Sequence, residues 1–175
     1  LGLVLAAGEG RRFGEPKAPV VVNGKRMVDR AVDVLRDAGC EPVIVVLGAW
    51  QGYVPHAETV FNRNWPSGMG SSLRVGMKSA QTYDVDAALV TLVDLPGLTT
   101  AAARRLIDSG ASLAAATYDG QRGHPVLFAR ERFDGVAESA VGDQGARDYL
   151  RAHADDLILI EVGDVASGDD MDEPQ

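Results

Sequence analysis

The sequence predicts a doubly wound α/β domain on a mostly parallel sheet, with at least one antiparallel strand at an edge. Short apolar runs alternate with helix-period segments along nearly the whole chain. Two of those runs, PVIVVL at 42–47 and AALVTLV at 87–93, are continuously apolar, as suits strands covered on both faces. Asp119-Gly120 then separates two further runs and marks a hairpin turn, which reverses the strand direction. The 175 residues suffice for one domain with a sizeable core and are short for two.

In order, Leu1 to Ala6 reads as a buried strand, followed by a glycine-rich loop to Lys17. A helix is expected from Met27 to Ala38, with Val28, Ala31, Val32 and Leu35 on one face and Gly39 as its stop. Pro42 to Leu47 is the second strand and Thr59 to Phe61 a shorter one. Ser71 to Gln81 reads as a helix capped by Ser71, and Ala87 to Val93 as the next buried strand. Thr100 to Ser109 reads as a helix with Thr99 or Thr100 as its cap. Strands at Ser112 to Tyr118 and Pro125 to Ala129 flank the Asp-Gly turn. A helix near Gly145 to His153 and a strand at Leu157 to Val162 complete the body. The acidic end, Gly168 to Gln175, is the one shift in composition, and as a bare tail it reads as disordered.

Bulk properties exclude several classes. A net charge of -8 argues against nonspecific binding of nucleic acid or an anionic membrane, both of which need excess Lys and Arg. No apolar run approaches the ~20 residues of a membrane-spanning helix, and the opening run lacks the basic flank of a signal peptide. That run starts without Met, so a few residues are expected ahead of it. Cys40 is the sole cysteine, which rules out an internal disulfide and makes a reducing cytoplasm the simplest setting.

Ligands of such sheets bind where the strands' carboxyl ends meet their loops. The unusual loops begin there, after Ala6, Phe61, Val93 and Val162. The first, Leu5-Ala6-Ala7-Gly8-Glu9-Gly10-Arg11-Arg12-Phe13-Gly14-Glu15-Pro16-Lys17, carries three glycines and three cations. Glycines let backbone N–H groups approach phosphate oxygens, and a Lys and an Arg can neutralise a triphosphate. It is not a Walker A loop, because Lys17 is followed by Ala18-Pro19. As a dinucleotide fingerprint it would put Phe13 where a small residue is needed. Asp94 leaves an apolar strand at the crevice, where a carboxylate can hold Mg²⁺ against phosphate oxygens. Read singly, the remaining segments are ordinary: a capped helix after Asn62–Gly70, a lone His124 after a turn, and Asp143 as a helix cap.

Together they resemble the MobA-like nucleotidyltransferases. The first loop matches L-A-A/G-G-x-S-x-R-M/F-G-x-x-K, with Gly10 where Ser is usual. Asn62 to Ser72 matches N-x-x-W-x-x-G-M-x-x-S, and Asp94-Leu95-Pro96 stands for D-Q-P with Leu in place of Gln. Gly120 to Phe128 matches G-x-x-G-H-P-V-L-F, Gly142 to Arg147 matches G-D-x-G-A-R, and Asp170 to Pro174 aligns with a terminal D-I-D-T-P-E. The resemblance implies a nucleotide-diphospho-sugar-transferase-like, Rossmann-like fold. It further implies a nucleotide held by Leu5, Ala6, Ala7, Gly8 and Gly10, with Arg12 and Lys17 on the phosphates and Asn62 and Ser71 contributing, Asn62 facing the base. Asp94, completed by Asp170 or Asp172, would hold Mg²⁺. Gly70, Ser72, Gly123, His124 and Asp143 would bind the acceptor, with His124 positioning it rather than moving a proton.

The closest resemblance is to the molybdenum cofactor cytidylyltransferase branch, because Ala7 stands where the guanylyl branch has Gly. It implies CMP transfer from CTP to molybdopterin, and a molybdoenzyme or its chaperone downstream. Three other readings stay open: a guanylyltransferase, an NAD(P)H-dependent dye or quinone oxidoreductase on the same fold, and a non-catalytic pterin carrier.

Overall fold

The structure is a computed structural model that describes residues 1–171. Among these residues the strands are β1 (Gly2–Ala6), β2 (Val21–Val22), β3 (Lys25–Arg26), β4 (Val43–Leu47), β5 (Glu58–Phe61), β6 (Ala87–Leu92), β7 (Leu113–Tyr118), β8 (Gln121–Ala129) and β9 (Ile158–Glu161). The helices are α1 (Met27–Asp37), α2 (Met69–Ala80), α3 (Thr100–Ile107), α4 (Phe133–Ser139) and α5 (Arg147–Ala152). One sheet runs in the order β5-β4-β1-β6-β8-β7-β9, while β2 and β3 form a separate hairpin. Strands β5, β4, β1 and β6 are mutually parallel, and β9 is parallel to β7. The antiparallel component is β8, third from the β9 edge, which runs against both β6 and β7.

The two-residue period of the strands divides the core between the faces. Leu3, Leu5, Ile44, Val46, Ala88 and Val90 pack with α2, α4 and α5. Val4, Ala6, Val43, Val45, Leu47 and Leu89 pack with α1 and α3. Helix α2 approaches closely at Gly76, where a Cβ would lie 2.7 Å from the Leu3 methyls. The sheet is therefore wound on both sides, as its doubly apolar strands require. No helix among the described residues is long and apolar enough to cross a membrane.

Four local features differ from the sequence expectation or add to it. The β2–β3 hairpin turns on Asn23-Gly24, both at positive φ (51° and 77°), the backbone a two-residue turn needs. Helix α4 was not anticipated. Helix α2 starts at Met69 behind a 3₁₀ turn at Trp65–Ser67, so Gly68 holds the cap position and Ser71 lies inside the first turn. A second 3₁₀ turn, Gly142–Gln144, likewise separates Asp143 from α5, whose N-cap is Ala146. Thr99 does cap α3, accepting from the Ala102 N–H at 3.2 Å.

Candidate active site

The carboxyl ends of β1, β4 and β6 are tied into one rim. Val93 N donates to Leu5 O, Ala49 N to Ala7 O, and Asn62 N to Leu47 O. The tail joins the same rim through Ser167 N to Gly97 O and Met171 N to Asp94 O. Below it lies a cavity of about 440 Å³, within the ordinary range for a small-molecule site. Leu5, Ala6, Ala7, Gly8 and Gly10 of the first loop line it, together with Lys17 and Asp94. Trp65, Met69, Ser72 and Asp143 line it as well.

The loop's shape follows from its glycines and its anchor. Gly10 has φ +65°, and a Cβ there would overlap the Glu15 carbonyl oxygen, so the Ser usual in the resembled pattern does not fit this conformation. Gly14 N closes a turn onto Gly10 O at 2.7 Å. Phe13 is buried with Met27 and Met171, pinning the loop to α1 and the tail. An aromatic anchor thus occupies the position where a dinucleotide fold needs a small residue.

Lys17 Nζ lies 2.8 Å from Asp94 Oδ2, with side-chain exposures of 13% and 20%. In this half-buried setting each charge neutralises the other, and losing either would leave a poorly solvated ion. Asp94 and the tail suit a hard divalent cation in their chemistry. The Asp94 carboxylate stands at the cavity, and the backbone bond from Met171 brings the tail to that loop one residue from Asp170. Among the described residues no three His, Cys, Asp or Glu side chains form a ligand group. One or two carboxylates without a full protein cage match the way Mg²⁺ shares its coordination with substrate phosphates.

Other expected residues fall outside the cavity wall. Asn62 is 2% exposed and fully committed internally. Its Nδ2 donates to Ser71 Oγ (2.8 Å) and Ser72 Oγ (3.0 Å), and its Oδ1 accepts from Asn64 N. It thereby braces the start of α2, which carries Ser72 to the cavity. Ser71 donates to Asn64 O and Gly68 O in the same network. Gly70 does not line the cavity but lies beneath Val141, where a Cβ would be 2.6 Å from backbone atoms. Arg11 lines the cavity and pairs with Glu9, whereas Arg12 is exposed and is not part of the wall. Gly123 and His124 sit at the start of β8, on the rim's side of the sheet. Asp172 to Pro174 lie outside the described residues.

His124 is neutral near pH 7. Burial lowers its pKa from 6.5 to about 4, although part of its surface remains accessible. Asp94 pulls the other way, and Arg122 and Arg147 add to the lowering. The imidazole is thus suited to hydrogen bonding rather than to donating a proton. Trp65 and Met69 also reach the cavity, and both stand at fixed positions of the N-x-x-W-x-x-G-M pattern.

Residues 2–157 match the family model described as the MobA-like NTP transferase domain. The chain is 36% identical over 187 residues to nicotine blue oxidoreductase of Paenarthrobacter nicotinovorans, covering 98% of this chain and 91% of that one. It is 36% identical over 101 residues to a probable molybdenum cofactor guanylyltransferase of Opitutus terrae, covering 57% of this chain and half of that relative. The crystal structure of Rv0371c from Mycobacterium tuberculosis in complex with manganese superposes with a TM-score of 0.74 at 26% identity, over 92% of this chain and 86% of that one. With the glycine loop, the cavity at the strand ends and a family match over most of its length, this chain belongs to the MobA-like NTP transferase family.

Proposed function

We propose that the protein is a Mg²⁺-dependent nucleotidyltransferase that moves CMP from CTP to molybdopterin. The observation that carries this reading is the convergence of the glycine loop, Lys17 and Asp94 on one cavity of nucleotide size. In the reaction an acceptor phosphate oxygen attacks the α-phosphorus, the bond to the β-phosphate bridging oxygen breaks, and pyrophosphate leaves. Such transfer depends on alignment and charge stabilisation rather than on a protein nucleophile. Lys17, with Arg11 and Arg12 on the same loop, stabilises charge on the leaving pyrophosphate. The backbone of Ala6 to Gly10 holds the nucleotide, and neutral His124 with Gly123 and Asp143 orients the acceptor. Asp94, with Asp170 nearby, would hold Mg²⁺, whose chemistry there would be neutralisation of phosphate charge. The Rv0371c structure with manganese supports a divalent-cation site in this family.

Ala7 supports cytosine, whereas the relative named as a guanylyltransferase supports GTP as the second reading. The relative named nicotine blue oxidoreductase supports a third, NAD(P)H-dependent reduction of a dye or quinone. Phe13, buried where a dinucleotide loop requires a small residue, argues against that third reading.

The deciding experiment follows pyrophosphate release with Mg²⁺, molybdopterin and each of the four nucleoside triphosphates, for wild type and Asp94→Ala. Release strongest with CTP, and reduced by roughly 100-fold or more in the variant, is expected. Release strongest with GTP would replace CMP transfer by GMP transfer. No release with any triphosphate, together with NADPH oxidation by a dye, would move the function to the oxidoreductase.

A further inference from the structure

At the start of β8 the β7–β8 ladder is interrupted. Ala115 pairs with Val126 and Thr117 with Arg122, so the register shifts across Gly123, His124 and Pro125. Such irregularities re-aim backbone and side chains next to functional sites. Tyr118, at the end of β7, reaches across this gap, and its hydroxyl donates to the His124 carbonyl at 2.6 Å. The same ring packs against two glycines. A Cβ on Gly123 would lie 3.1 Å from it, and a Cβ on Gly168 would lie 2.6 Å from it. Gly168 begins the short stretch that ends with Met171 bonded to the Asp94 carbonyl, and Asp170 lies inside that stretch.

We infer that Tyr118 is a positioning residue that joins the acceptor-side turn Gly123–His124 to the tail carrying Asp170. One side chain thereby sets both the acceptor's grip and the approach of the tail to Asp94, a role that rests on the acceptor and metal assignments proposed above. Its two contacts are separable. The hydroxyl bonds only the His124 side, whereas the tail at Gly168 rests on the ring edge alone. Burial, with Glu161 nearby, pushes the phenol's pKa up to about 12, so it remains a hydrogen-bond donor throughout the working pH range.

The test uses the full chain with Tyr118→Phe and Tyr118→Ala, read by hydrogen exchange, by acceptor kinetics and by Mn²⁺ binding to the nucleotide complex in EPR titration. Tyr118→Phe should raise the acceptor KM by roughly three- to tenfold, the range for one lost hydrogen bond, with kcat and the triphosphate KM unchanged. It should speed amide exchange at Gly123 and His124 while leaving Ser167 and Met171 at the wild-type rate. Tyr118→Ala should speed exchange at both places and weaken Mn²⁺ binding as well. Wild-type behaviour of Tyr118→Phe at the turn, or an unaltered tail in Tyr118→Ala, would overturn the inference. If the wild type transfers nothing, the proposed function falls, and the exchange pattern alone still decides whether Tyr118 joins turn and tail.

Discussion

At the residue scale, the site depends on which side chains keep free chemistry and which are spent on scaffolding. His124 is the clearest titratable case. Its folded pKa lies near 4, against 6.5 for the ordinary group, so between those values the unfolded chain binds the extra proton. Stability is therefore lost as the pH falls from about 6.5 toward 4, by about 3 kcal/mol at most. Denaturant melts of wild type and His124→Gln should converge in this window, the variant lacking the acid-side decline. Equal slopes would refute the neutral, buried histidine. Glu161 is held down to about 2 by donors from Gly120, Thr117, Gly163 and Asp119, and contributes its own loss only below about 4.5, so the comparison is made above that pH. The same scale explains what sequence left hidden. Asp94 and Lys17 were legible because a charged residue leaving an apolar strand, or ending a glycine loop, has few other uses. The bracing by Asn62 is not legible in the sequence, because its spacing is equally compatible with a ligand or a brace. The two differ only in hydrogen-bond partners, and those include Ser71 and Ser72 near the start of α2.

At the element scale, α2 carries two glycines with different tasks, and substituting each should separate stability from function. Gly76 lies against Leu3 and Val46 in the core, far along the helix from the cavity. Gly76→Ala overpacks that contact and should cost about 1–3 kcal/mol with unchanged substrate KM values. Gly70 lies beneath Val141, in the loop that carries Asp143 to the cavity. Gly70→Ala should displace that loop and raise the acceptor KM beyond what its stability loss explains. Paired melts and kinetics of the two variants check both outcomes, and identical kinetic profiles would deny the loop a role. Thr99→Ala should remove the α3 cap and cost about 1 kcal/mol without kinetic effect. The strongest strands were readable because β1, β4 and β6 are apolar on both faces. Helix α4 escaped because its seven residues include Gly135, too short and too weakly patterned for periodicity to register. The β2–β3 hairpin escaped although Asn23-Gly24 is a strong turn signal, since two-residue strands leave no alternation to count. The starts of α2 and α5 were misread because 3₁₀ turns precede them and shift the cap positions.

At the scale of the whole molecule, the Lys17–Asp94 pair couples the ligands that the site is proposed to take. The Lys17 ammonium occupies one oxygen of Asp94 in the place where a cation is proposed to act. A divalent ion arriving alone must compete with that ammonium. A triphosphate arriving alone must approach the Asp94 carboxylate. When both arrive, Lys17 can turn to the phosphates and leave Asp94 to the ion, so each ligand removes the obstacle to the other. Such coupling is reciprocal by thermodynamic necessity. A ligand at about 100 times its Kd stabilises the native state by about 2.7 kcal/mol, which for a domain of this size raises Tm by about 5–10 °C. Thermal melts with Mg²⁺ alone, CTP alone and both together should therefore show a combined shift larger than the sum of the two single shifts. Lys17→Met should raise the shift from Mg²⁺ alone, lower that from CTP alone, and bring the combined value back to additivity. Additive shifts in the wild type would mean that the Lys17–Asp94 pair opposes neither ligand. The whole chain would then gain stability from each independently, and the pair would be a feature of the scaffold only.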